Sequence, residues 1–381
     1  MRKYIVFGQE HYNPLGVIRS LGESGIYPVA IILKDKKVIT SKSKYISKLY
    51  FVKSYEEGYE LLLKEYGKEK EKSFLYTCDD KTTAFLDRHF NELIDKFIFF
   101  NAGIQGRIVY YMDKANILEL AEKYGLNVLK NYKVNRGEIL DGLEYPIITK
   151  GIASNIGGGK ADVFICHSEN ELKNAYKKIK STTVLLQKYL YKKNELCMEG
   201  MSVNNGKELF ISIASSYNYI LEDRYSPYMT VRNFNNKYLQ EKLALMIEEI
   251  GFEGIFEIEF LEDDDGHLYF GEINFRNSTW SYASTCAGMP LPVIWAESMQ
   301  CNTLKKNYYK KIPDGFTAMV ELNDFKMRVL THKIGLIQWI REMKSCQCLY
   351  YMGKNDFKPV IANFLSRIIS KKGVFKILSE K

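Results

Sequence analysis

The apolar positions of the first hundred residues follow two alternating rhythms. Apolar runs at 3–8 (KYIVFG), 27–33 (YPVAIIL), 73–78 (SFLYTC) and 96–100 (KFIFF) have the length and the β-branched or aromatic content of strands buried on both faces. Between them, 13–25, 55–67 and 82–93 space their apolar residues three and four apart, the period of a helix with one buried side. Strands alternating with helices predict a parallel sheet covered on both faces. Ligands of such sheets gather beyond the carboxyl ends of the strands. GQEHYNP (8–14) and CDDK (78–81) therefore lie on a candidate binding edge, although plain loop polarity is the simpler account of His11 and Asp80.

From about residue 108 the rhythm changes. The spacing predicts a helix running into a strand over 113–129, and a strand at 145–151. A glycine-rich turn follows at 154–163, then a helix at 168–180 opening on Ser168, and a strand at 183–190. A mainly antiparallel α+β region extends to about residue 300. Within it, 254–276 alternates strictly. Glu257 and Glu259 share a face opposite Phe256, Ile258 and Phe260, and Glu272, Asn274 and Arg276 share a face opposite Ile273 and Phe275. The EDDDG segment between the two stretches suits a hairpin turn. Pairing them would set Glu259 beside Glu272 and Asn274, a group of oxygen ligands with no cysteine or histidine, which is the preference of magnesium. A solvated sheet face with Glu and Arg paired across strands gives the same alternation.

Two further features bear on anion binding. In NIGGGK, three glycines let backbone amides approach an anion closely, and Lys160 adds charge. It is not a P-loop, since Ser154 stands six residues before Lys160 and Ala161 follows it, and a hairpin turn explains the glycines as well. Lys150 ends an apolar strand, where a lysine calls for an anionic partner.

Composition narrows the class. At 381 residues the chain predicts two or three domains, and 46% hydrophobic with 26% charged residues is the balance of a soluble globular protein. There is no run of 18 apolar residues, and the first residues read as a strand rather than a signal peptide. Seven dispersed cysteines predict free thiols in a reducing cytosol, and five dispersed histidines argue against a His/Cys metal cage. The sequon at Asn277 reads as chance. The net charge of +8 is uneven: residues 302–381 carry 16 Lys+Arg against 6 Asp+Glu, or +10, and the remainder carries 38 against 40, or −2. A nucleic-acid partner for the whole chain is not expected.

The order Asp113-Lys114, Lys150, GGGK (157–160), LLQKYL (185–190), Glu195, Glu259 and GEINFR (271–276) resembles the ATP-grasp superfamily of ADP-forming ligases over about residues 1–300. The segment 276–292 resembles the branch of carbamoyl-phosphate-synthase-like and D-aspartate-ligase-like proteins, with Phe275 where the family's strand commonly has proline. The resemblance implies an α/β and α+β protein of ATP-grasp fold. A Rossmann-like parallel-sheet domain would span 1–107, a central lobe with the glycine-rich lid 108–190, a lobe with the metal site 191–325, and a basic helical tail 326–381.

It further implies ATP and Mg2+ (or Mn2+) as cofactors. Lys114 and Lys150 would meet the phosphates, and Gly157, Gly158, Gly159 and Lys160 would form the lid. Gln187, Lys188, Tyr189 and Leu190 would meet adenine, with Ile148 and Leu261 sandwiching the purine and Glu195 holding the ribose. Glu259, Glu272 and Asn274 would bind metal, and Arg276 would face the reacting centre, catalysis resting on Arg276, Lys150 and Lys160. The implied activity is a cytoplasmic carboxylate–amine ligase acting on small-molecule substrates, with a homodimer admissible. An ATP-binding regulatory protein without ligase activity, or phosphoryl transfer to a non-carboxylate acceptor, uses the same groups.

Past Pro359, apolar pairs recur four apart (Val360/Ile361, Phe364/Leu365, Ile368/Ile369), flanked by Arg367, Lys371, Lys372 and Lys376. This predicts an amphipathic helix that docks on the protein's own surface or, through residues 359–381, on an anionic membrane.

Overall fold

The computed structural model describes residues 2–35, 38–152, 159–221, 225–353 and 355–366, and for Gly159 and Lys160 the backbone alone. Gly157 and Gly158 of the expected lid lie outside the described residues, as do Ile368, Ile369 and the basic residues around them.

The alternating first third forms a parallel sheet of β1 (Tyr4–Gln9), β2 (Val29–Leu33), β3 (Lys48–Val52), β4 (Ser73–Thr77) and β5 (Phe97–Phe99), in the order β3-β2-β1-β4-β5. Sequence reading missed β3. It is an edge strand, with Lys48 and Phe51 exposed and only Val52 buried, so it lacks the continuous apolar run of its neighbours. The helical pattern at 82–93 divides at His89 into Asp80–Arg88 and Phe90–Leu93, and Asp79 caps the first of these by accepting from Thr82 N at 2.9 Å.

A small antiparallel sheet follows: β6 (Asn131–Asn135), β7 (Ile147–Gly151), β8 (Phe164–Cys166) and β9 (Thr183–Lys188), ordered β6-β9-β7-β8. It has its own core around Ile147, Leu172, Val184 and Leu186. The pattern read over 113–129 is helical only over Lys114–Lys123, and the strand starts at Asn131 instead of near 126. Leu126 and Leu129 owe their burial to a connecting segment laid on the body.

The third sheet holds β10 (Asn194–Val203), β11 (Glu208–Tyr217), β12 (Tyr228–Arg232), β13 (Gly254–Glu262), β14 (Leu268–Asn274), β15 (Thr317–Met319) and β16 (Cys348–Leu349). Its order is β14-β13-β10-β11-β12-β15-β16, antiparallel except for the β15–β16 pair. Its core is continuous with that of the parallel sheet. Trp295, fully buried, packs edge-on against Phe74, Tyr76 and Phe100 at 5.6, 5.4 and 4.8 Å between ring centres.

The basic C-terminal stretch is partly woven into this body. Buried Arg19 donates to Asp356 Oδ2 (3.1 Å) and to the carbonyls of Tyr350 (2.8 Å) and Tyr351 (3.0 Å), tying residues 350–356 to the parallel-sheet domain. Residues 358–366 are helical as the stripe predicts, but Phe357, Ile361, Phe364 and Leu365 are each more than half exposed. Pro359 and Asn363 are buried on that helix and Val360 packs against the main core, so its first turn touches the body while Ile361, Phe364 and Leu365 stay exposed. No helix among the described residues is long and apolar enough to cross a membrane.

Candidate active site

Three strands of the third sheet, β10, β13 and β14, put their polar side on one surface. In the register Glu257 opposes Asn274 and Glu259 opposes Glu272 across β13–β14, while Glu199 and Cys197 of β10 oppose Glu257 and Glu259. Strict alternation along β14 would have placed Phe270 on the same side as Glu272. The ladder slips between Glu259 and Phe260, Gly271 takes up the extra residue, and Phe270 turns inward to pair with Phe260 at 5.6 Å. Gly271 suits this bulge because a Cβ there would stand 3.1 Å from the Glu259 carbonyl. A second slip at Glu199/Gly200 adjoins Glu199, and a Cβ on Gly200 would lie 2.5 Å from the Phe210 carbonyl. A glycine bulge at Gly271 and a slip opposite Gly200, where Ser212 of β11 is the extra residue, therefore flank the acidic floor.

The floor is crowded with like charge. Burial, then the neighbouring Glu199, pushes the Glu257 carboxyl well up; burial, then Glu257 and Glu272, does the same to Glu259. Glu199, fully buried, is pushed by burial to about 7, with Ser281 Oγ donating to its Oε2 at 2.6 Å and Ser278 Oγ to its Oε1. Asn274 Nδ2 donates to Glu257 (3.1 Å) and Glu259 (3.3 Å). Glu272 differs: Lys114 forms an ion pair with it and holds its carboxyl at about 2.

Two lysines face this floor, one from a helix and one from the small sheet. Lys114 opens the helix Lys114–Lys123, whose cap Asp113 accepts from Ala115 N. Lys150 on β7 shares a side with Ile148, and its Nζ donates to Gln187 Oε1 of β9 at 2.8 Å. Sequence reading expected an anion beside Lys150; the structure gives it a neutral amide. Burial, then the positive charge of Lys114, lowers Lys150 to about 8. Asp162 anchors the far root of the glycine segment by accepting from Lys180 N (2.8 Å) and Ser181 N (3.2 Å).

The parallel-sheet domain closes the third side. Arg276 donates through Nε to Asp80 Oδ1 at 2.8 Å and through Nη2 to Asn274 Oδ1 at 3.1 Å, so CDDK does reach the site from its strand end. His11 caps the helix Tyr12–Glu23 instead, its Nδ1 accepting from Asn13 N. Asn277 is buried and donates to Asn13 Oδ1, which removes it as a glycosylation acceptor. Asp263, Asp265 and His267 also converge, but in the exposed β13–β14 turn, where Asp263 accepts from His267 N and Asp265 N to lock the turn.

One cavity of about 600 Å³ lies between floor and lysines. The family described as carbamoyl-phosphate synthase L chain, ATP binding domain, matches residues 113–306, which contain both lysines and the whole acidic floor. The chain belongs to this family and has the ATP-grasp fold. The N5-carboxyaminoimidazole ribonucleotide synthase of Staphylococcus aureus is 29% identical over 138 residues, and the match spans 35% of that relative's length and 35% of this chain. The crystal structure of N5-carboxyaminoimidazole synthetase from Staphylococcus aureus has a TM-score of 0.64 at 16% identity, covering 87% of each chain. The L-amino acid ligase from Bacillus licheniformis also gives 0.64, at 12% identity, covering 83% of this chain and 78% of that one.

In this ATP-grasp chain the cavity gathers nearly every residue singled out from sequence. Lys114, Ile148, Lys150 and Gln187–Leu190 line one side, and Glu195, Glu259, Leu261, Glu272, Asn274 and Arg276 line the other. Glu195 is held by Lys192. Within the hinge, Lys188 N donates to Lys130 O (2.8 Å) and Tyr189 N to Pro146 O (3.0 Å). Sequence reasoning passed over Glu257, although it shares the face of Glu259, and over Glu199, Tyr217 and Tyr225; Trp280 lies in the loop 277–282, which it named only as a source of specificity. For Glu199 the alternation Glu195, Cys197, Glu199 was the available signal.

Proposed function

We propose that this chain is an ATP-dependent, ADP-forming carboxylate–amine ligase that works through an acyl phosphate and joins an amino acid or other small carboxylate to an amine. The observation that carries this reading is the opposition of Lys114 and Lys150 to a floor of oxygen ligands, some buried and some half-buried, across one cavity lined also by Arg276.

Each residue has a part that its surroundings support. Lys114 and Lys150 bind the triphosphate; the neutral partner of Lys150 leaves its charge for that anion. Ile148 and Leu261 flank the purine. With Lys188 N and Tyr189 N already engaged, the Leu190 end of the hinge meets the base, and Glu195 holds the ribose. Gly157, Gly158, Gly159 and Lys160 are assigned to the γ-phosphate by the resemblance rather than by their surroundings. Glu259, Glu272 and Asn274 would hold magnesium, which when bound neutralises phosphate charge for in-line transfer. The donors fit this ion: all are oxygens, and the raised carboxyls of Glu257 and Glu259 mark a buried negative cluster short of positive charge. Asn274 Oδ1 already accepts from Arg276, so its joining the ion requires that hydrogen bond to open.

A substrate carboxylate oxygen then attacks the γ-phosphorus and ADP departs. The amine attacks the carbonyl carbon of the acyl phosphate, and phosphate leaves as the amide forms. Arg276, fixed by Asp80, donates to the oxyanion and to the departing phosphate. Closure of the glycine segment excludes water that would hydrolyse the intermediate. The test is to follow ADP and phosphate over a panel of carboxylates and amines. Release only when both partners are present supports the ligase; ATP binding with no ADP under any pair contradicts it.

A further inference from the structure

Part of the cavity wall is aromatic, formed by Tyr217, Tyr225 and Trp280 with Thr279. Trp280 follows Arg276 by four residues, and Tyr217 lies beside Asn194 and Cys197. The Trp280 ring meets Tyr225 edge-on, with centres 5.9 Å apart at 89°, and Tyr217 at 6.4 Å. A second layer holds these rings in place. Tyr350 packs behind Trp280 at 5.4 Å and its hydroxyl donates to the Trp280 carbonyl at 3.0 Å; Tyr12 and Tyr225 share a hydroxyl hydrogen bond of 2.6 Å. Ser278 and Ser281, bound to Glu199, pin the segment that carries Trp280. An aromatic wall fixed in advance loses little freedom when a flat apolar group settles on it.

The charges at the mouth of this recess select the head group. Arg276 lies between carboxylates, Asp80 at 2.8 Å and Glu257 at 3.9 Å. A ligand bearing both signs suits that pattern, its carboxylate toward the guanidinium and its ammonium toward an acidic oxygen. A dicarboxylate would instead direct its second charge against rings or against Glu257. A very small amino acid would leave the ring surface uncovered.

We propose that this recess is the acyl-donor subsite and that it takes an α-amino acid with an aromatic side chain, its carboxylate at Arg276 and its ring against Tyr225 and Trp280; this rests on the ligase reading. The test uses the full chain loaded with magnesium and a non-hydrolysable ATP analogue, titrated calorimetrically with L-phenylalanine, glycine and L-aspartate. L-Phenylalanine is expected to bind at least tenfold tighter than either of the others. Tyr225→Ala, at a half-buried position, is expected to weaken L-phenylalanine at least fivefold while the analogue binds as before. Trp280→Ala should do the same, and its thermal melting shows whether the more buried position still folds. Equal or tighter binding of glycine or L-aspartate, or no binding of L-phenylalanine, overturns the proposal. Tight L-phenylalanine binding without ADP release toward any amine would overturn the ligase reading and the acyl-donor role with it, and support the recess as an aromatic amino-acid site.

Discussion

The two surfaces that face each other across the cavity differ in how their charge is supported. The acidic floor stands on the large shared core and is cross-linked by Asn274, Ser278 and Ser281, and its carboxyls other than Glu272 are driven toward the neutral form. The lysine side is divided: Lys114 opens a helix of the large core, whereas Lys150 stands on a separate small core and is driven toward its neutral form as well. Each surface carries more of one sign than its surroundings stabilise. Their direct contact, Lys114 with Glu272, relieves one charge on each side and leaves the rest. A metal-bound triphosphate supplies cation to the floor and anion to the lysines together. The difference teaches that the site is built for a ligand of both signs.

The most severe way to break that balance is at the floor. Glu259→Gln or Glu272→Gln should lower turnover by on the order of 10³-fold, because a charged ligand is removed where phosphate charge is neutralised. Initial rates of ADP formation at saturating magnesium measure this, and near-wild-type rates would show that the floor is only structural. Arg276→Met should cost about 10²–10³-fold in kcat, the scale of a lost oxyanion donor. Arg276→Lys should restore little, since one ammonium cannot reproduce the paired donors that bridge Asp80 and Asn274.

A change beneath the floor separates support from chemistry. Phe256→Ala, at a fully buried position, should lower stability by about 3–5 kcal/mol, read by denaturant melting. The smallest effect belongs to the lysine side. Lys150 is lowered to about 8, so its charge is present below that value and lost as pH rises through it. Affinity for ATP should therefore fall roughly threefold to tenfold between pH 7 and pH 9, and less in Lys150→Arg, which stays charged. A flat profile in the parent chain would place Lys150 outside the phosphate site.

Local alternation made much of this legible. The parity of Glu257, Glu259, Glu272 and Asn274 is written along two strands, and the apolar runs of β1, β2 and β4 announce a buried parallel sheet. What escaped depends on longer-range packing. The Gly271 bulge reverses the parity of Phe270, and a glycine before an acid does not announce it. Glu199 and Trp280 come together through serines some 80 residues away in the chain, which no local period encodes. Asp80 looked like an ordinary loop acid until the fold placed it on Arg276. The edge strand β3 was missed because its faces are mostly wet.

The central claim is tested most directly by calorimetric titration of ATP with and without magnesium into the parent chain, Glu259→Gln/Glu272→Gln and Lys150→Met. The parent should bind magnesium–ATP at least tenfold tighter than metal-free ATP. The floor variant should lose that preference while still binding nucleotide, and the lysine variant should weaken both forms alike. Equal affinity of the parent for ATP with and without magnesium would contradict the account.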